Sequence, residues 1–136
     1  MKKRIEKYFP AAMNAIDTVF PKTKGEIAKE FQGYISAFGS AVLQMGLMPT
    51  LAVHADEGSG AAQDKRLLLQ VLALTLTHTN GVLSSAAQQS LKGKEKELFK
   101  IAVQGNQDLR QELREHLLDA AVAVKLCLRT YKLTSA

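Results

Sequence analysis

Along most of this chain apolar residues recur at steps of three and four, the spacing of one buried helix face. A first helix is expected from Lys2 to Thr18, with Ile5, Phe9, Ala12, Met13, Ile16 and Val19 on one side. Pro10 lacks a backbone donor and should bend it. Phe20 to Gly25 reads as a breaker loop. A second helix, Glu26 to Met45, places Ile27, Phe31, Tyr34, Phe38, Val42 and Met45 on a single seam. Gly39 inside it costs about 1 kcal/mol against alanine, so another helix crossing closely at Gly39 is the expected compensation. Gly46 suits a left-handed helix end, with Leu47 making the accompanying apolar contact, and Pro49 fits the first turn of a short helix ending at Ala55.

Asp56 to Ala62 is the clearest loop, Gly- and Ser-rich and polar at its start. From Leu67 to Leu76 the chain is apolar on nearly every side, as a helix surrounded by others must be. Leu72, Leu74 and Leu76 also alternate like a strand, but no second convincing strand exists to pair with them, so a central helix is the reading adopted. Ser84 to Leu91 forms a small helix, Lys92-Gly93-Lys94 a break, and Glu95 to Val103 another helix. Asn106 is placed to cap a last helix running from Gln107 to about Lys132. The pattern predicts an all-α fold: residues 1–136 as one compact bundle of about six helices with a long C-terminal helix. Composition agrees, because only 6% of residues are aromatic and the apolar content is carried mostly by Ala, Leu, Val and Met, which favour helices over strands.

The last helix has three faces. At 100° per residue, Leu109, Leu113, Leu117, Ala120, Val124, Cys127 and Tyr131 share an arc of roughly 80° that should pack on the domain. Arg110, Arg114, Lys125, Arg129 and Lys132 fall in a second arc of about 100°, and Asp108, Glu112, Glu115 and Asp119 in a third of about 60°. Solubility alone explains many charged helix faces. Segregation by sign argues for more, because like charges four apart repel by a few tenths of a kcal/mol, and a phosphate backbone would neutralise them. Lys3, Arg4 and Lys7 give the first helix a second basic face, whereas Lys92, Lys94, Lys96 and Lys100 are interleaved with Glu95 and Glu97 and read as a solvated surface.

The net charge of +5 points the same way, toward an anionic partner. Other chemistry is thinly represented. Cys127 is the lone cysteine, no export signal is expected at the basic N-terminus, and polar residues interrupt the Leu67–Ala87 stretch before a membrane span accumulates, so a cytoplasmic protein is expected. His54, His78 and His116 stand alone without ligand spacing, so no metal site is expected. Gly58-Ser59-Gly60 and Gly93-Lys94 fail the dinucleotide and P-loop patterns, leaving no cofactor site. Glu112 and Glu115 lack the apolar surroundings of a catalytic carboxylate pair. The expectation is a protein that is not an enzyme.

One segment is distinctive. Tyr34-Ile35-Ser36-Ala37-Phe38-Gly39-Ser40-Ala41-Val42-Leu43-Gln44-Met45-Gly46-Leu47-Met48-Pro49-Thr50-Leu51-Ala52 resembles the small subunit of the Cmr complex, the type III-B CRISPR effector. Members of that family pair a Tyr-rich helix with a Gln-x-Gly-Leu turn, here Gln44 to Leu47, and a short Thr-Leu-Ala helix, here from Thr50. Met45 and Val53 depart from the residues frequent there, and the loop at Asp56-Glu57 is not lysine-rich. The resemblance implies a noncatalytic subunit that stacks along an RNA-guided filament, contacts other Cmr subunits and copies of itself, and helps hold guide and target RNA through basic surface. The candidate RNA contacts are Arg110, Arg114, Lys125, Arg129 and Lys132 with Lys3, Arg4 and Lys7. The alternative is a protein scaffold in which basic and acidic stripes of neighbouring copies pair head-to-tail without touching RNA.

Overall fold

Proline decides where the first helix begins. The computed structural model describes residues 2–56, 58 and 60–134, with Lys2 and Lys3 described in backbone only. Instead of one bent helix there are two, α1 (Lys2–Glu6) and α2 (Phe9–Val19), separated by a turn at Lys7 and Tyr8. In an uninterrupted helix Pro10 would lack an interior donor and clash with the carbonyl four residues back; in the first turn of α2 the missing N–H costs nothing.

The expected loop after α2 holds a hairpin, β1 (Lys22–Thr23) and β2 (Glu26–Ile27), with Lys22 opposite Ile27 and Thr23 opposite Glu26. Lys24 and Gly25 both have positive φ, as a tight two-residue hairpin turn requires. Ile27 therefore lies on a strand and not on the helical seam, and α3 (Glu30–Met45) starts four residues later than the period indicated. Its buried seam is Phe31, Ile35, Phe38 and Val42, while Met45 is exposed. Phe31 stacks on Phe20 with ring centroids 4.2 Å apart, which fixes the hairpin's exit against α2. At Gly46 φ is +92°, a conformation that favours glycine, and the chain turns directly into α4 (Leu47–Ala55). Leu47 is buried, but α4 begins two residues before the proline-based expectation.

Of the loop from Asp56 to Ala62, Glu57 and Ser59 lie outside the described residues. Tyr34 on α3 holds the loop's far end: its hydroxyl accepts from the Gln63 N–H at 3.0 Å. Then comes α5 (Arg66–Thr77), the central helix, with Leu68, Leu69, Val71, Leu72, Ala73, Thr75 and Leu76 buried. Its buried Thr75 hydroxyl donates to the Val71 carbonyl, Thr79 just past its end donates to the Thr75 carbonyl, and Thr77 reaches the Glu95 carboxylate at 2.9 Å. The strand alternative is thereby set aside. Helix α6 (Ser85–Leu91) is capped by Ser84, Gly93 turns the chain with positive φ, and a 3-10 turn at Glu95–Glu97 leads into α7 (Leu98–Gln104).

The last helix, α8 (Gln107–Leu128), is capped as expected by the Asn106 side chain accepting from the Leu109 N–H. It ends four residues short of Lys132. The following chain returns to β2, where the Ile27 N–H donates to the Lys132 carbonyl at 3.0 Å and the Thr134 N–H to the Ile27 carbonyl at 2.9 Å. Tyr131 accordingly leaves the packing face of α8 and anchors this return, its hydroxyl donating to Asp17 at 2.8 Å. The architecture is all-α apart from this small β element, with α5 and α8 packed against α2 and α3 around one contiguous core.

Candidate nucleic-acid interface

The five cations expected on one face of the last helix separate into three groups. Arg110 lies on α8, but its Nε donates to the Ala102 carbonyl and its Nη2 to the Val103 carbonyl, both at 2.9 Å. Its guanidinium closes the C-terminus of α7, satisfying carbonyls the short helix leaves open. Lys132 does not share the face, because the backbone has left the helix; its ammonium stands 3.5 Å from Glu26 of the hairpin. Arg114, Lys125 and Arg129 remain. Among the described residues none of the three has a carboxylate partner within ion-pair distance. Arg129 stands at the C-terminal end of α8, where a cation also meets the negative end of the helix dipole.

The acidic face is largely engaged inside the fold. Glu112 accepts from the Ser84 N–H at 2.6 Å and from the Ser84 hydroxyl at 2.8 Å, clamping the start of α6. Asp119 pairs with the Arg4 guanidinium at 3.0 Å. Glu115 accepts from Gln111 at 3.1 Å. Sign segregation on α8 is thus partly an internal wiring pattern: acids face α1 and α6, and cations are left on the other flank.

Helix α1 packs on α8 through the Arg4–Asp119 pair. Arg4 and Lys125 line one groove between α1, α3 and α8. Lys7 stands over the Tyr8 ring, 5.6 Å from its centroid. The Lys3 side chain lies outside the described residues. Tyr8 itself is buried, its hydroxyl 3.3 Å from His116 Nδ1, and desolvation with the nearby Asp119 charge pushes its pKa up to about 12.

Crossing the charged arcs of α8 is an apolar stripe that the three-face reading missed. Leu118, Val122 and Leu126 recur every four residues, running obliquely from the cationic arc across the gap into the acidic arc; Val122 is 46% exposed and Leu126 40%. Their i, i+4, i+8 spacing was the available signal. Across the groove from Val122 stands Leu43 of α3, 65% exposed. Gly39 lines this groove, and among the described residues nothing lies within 4 Å of a Cβ added there, so no helix crosses closely over it. The expected close crossing is absent from the fold.

The reactive side chains are placed structurally. His54 is buried on α4, its Nδ1–H donating to the Thr50 carbonyl at 2.9 Å and its ring edge-on to Phe38; burial lowers its pKa. The Cys127 thiol is buried against α2, and burial raises its pKa. Among the described residues there is no group of three or more His, Cys, Asp or Glu that could hold a metal ion, and no helix is long and apolar enough to cross a membrane.

No curated protein and no solved structure matches the chain. The segment resembling the Cmr small subunit is now seen as the α3–Gly46–α4 unit, which carries the core seam and one wall of the groove. A family model does match, that of the CRISPR-associated protein Cas_Cmr5, over residues 4–127, from the basic face of α1 to the last turn of α8, and the chain belongs to this family of small subunits of the type III-B CRISPR Cmr complex.

Proposed function

We propose that the chain is a noncatalytic subunit that stacks along the Cmr effector and helps hold its guide and target RNA through the cationic flank formed by Arg114, Lys125 and Arg129 of α8, together with the basic residues Arg4, Lys7 and Lys3 of the N-terminal segment. The observation that carries this reading is the absence, among the described residues, of any carboxylate partner for Arg114, Lys125 and Arg129. Arg114 and Arg129 are fifteen residues apart, about 22 Å along the helix axis at 1.5 Å per residue. A row of that length repels itself until a polyanion lies along it, and phosphate contacts of this kind fix position without reading bases. Arg110 and Lys132 are not part of the row, being bound to α7 and Glu26. The noncatalytic part of the reading is supported by the internal employment of His54, His116 and Cys127.

Pairing of basic and acidic stripes between copies is the weaker reading, because Glu112 and Asp119 already have partners within the chain. Charge reversal distinguishes the two. In the assembled complex, Arg114→Glu with Arg129→Glu should weaken binding of target RNA by at least about tenfold, since each lost phosphate contact is replaced by repulsion. Unchanged RNA affinity with altered self-association at low salt would favour the scaffold.

A further inference from the structure

The groove between α1, α3 and α8 has a volume of about 490 Å³. Its walls are apolar, with Ile35 and Leu43 on α3 facing Leu118 and Val122 on α8. Its floor is small: Ser36, Gly39 and Ser40 occupy successive turns of α3. Leu43 and Val122 are two of the exposed large apolar side chains of the described residues, and Leu126 continues the stripe one turn beyond Val122. Patches of exposed apolar side chains rimmed by charge mark interaction surfaces. Glycine within a helix is unfavourable, and close approach of another backbone compensates for it; at Gly39 the described residues supply no such neighbour.

The rim is charged. Arg4 and Lys125 face the single carboxylate of Asp119, which is already paired with Arg4, so Lys125 is left without a counterion there. From this we infer that the groove receives an amphipathic helix of another protein, laid across Gly39 with apolar residues at i and i+4 between Leu43 and Val122 and a carboxylate directed at Lys125. Helix-in-groove docking of this type uses apolar walls that take the i and i+4 side chains of the incoming helix, which a nucleic-acid strand does not need. A second copy of this chain fits less well, because each copy carries a net charge of +5 and would bring a cationic rim against its like. Lys125 belongs to both the groove rim and the cationic flank, whereas Arg114 and Arg129 do not line the groove, and the substitutions that test the groove fall only on residues outside the flank.

Gly39 and Gly33 make the test specific. An added side chain at either meets nothing within 4 Å, so Gly39→Leu and Gly33→Leu should both fold and melt no lower than the parent, but only Gly39→Leu fills the groove. Reconstitution with the other purified Cmr subunits should show Gly39→Leu incorporated at least tenfold more weakly than the parent chain, with Gly33→Leu unaffected. Leu43→Cys labelled with a photoreactive maleimide, Cys127 being buried, should cross-link to an Asp- or Glu-bearing helix of a different subunit. Parent-like incorporation of Gly39→Leu, equal loss in both glycine variants, or a cross-link to RNA or to a second copy of the chain would each overturn the proposal.

Discussion

Arg110 shows how a cation on a charged stripe can belong to the fold. Its two hydrogen bonds to Ala102 and Val103 carbonyls tie α8 to the end of α7 in a fork geometry that lysine cannot reproduce. Arg110→Ala should therefore cost about 1–2 kcal/mol, read as a lower denaturant midpoint, with Arg110→Lys recovering little of it and RNA affinity of the assembled complex unchanged. His54 makes a pH prediction. Burial depresses its folded pKa below the ordinary value of 6.5, so on acidification the unfolded chain takes up the proton first. Stability contributed by the neutral ring is fully present above about pH 6.5 and is lost as the pH falls toward the folded pKa. Denaturation midpoints measured between pH 8 and pH 5 should decline in that range, and His54→Gln should remove part of the decline. None of this was legible in the sequence, where both residues were read only by their position on a wheel or by the lack of a ligand neighbour.

At the scale of elements, periodicity located nearly every helix, and local chemistry set the ends. Asn106 and Gly46 were readable because a cap and a positive-φ turn are properties of one residue and its immediate neighbours. The hairpin at Lys24-Gly25 and the end of α8 at Leu128 were not, because each depends on a distant partner, while the split at Lys7–Tyr8 follows from Pro10, whose local effect reads equally as a bend. Leu133 meets Ile27 across more than a hundred residues, and that bridge takes both segments out of the helices in which their own spacing would have placed them. The acidic face of α8 carries the same lesson, since Glu112 is explained by Ser84 and Asp119 by Arg4. Glu112→Ala leaves the Ser84 N–H and hydroxyl without their carboxylate. It should cost about 1 kcal/mol, with hydrogen-exchange protection falling first in α6 while α5 and the centre of α8 keep theirs.

For the whole molecule, the all-α class followed from composition and period, and family membership from the unit around Gly46. That unit is short in sequence but couples the core seam to the groove wall, so its residues are constrained from both sides. The surface was harder to read. A helical wheel divides α8 by charge, whereas the fold divides it by what each neighbouring helix covers, leaving a cationic flank and an apolar groove side by side. The central claim concerns the flank, and its most direct test is the salt dependence of target RNA binding by the assembled complex. Neutral Arg114→Gln with Arg129→Gln removes two phosphate contacts without adding repulsion, so the slope of log affinity against log salt should become shallower by about 1.4, at roughly 0.7 per contact on a single strand. A slope and affinity identical to those of the parent complex would contradict the claim that this flank holds RNA.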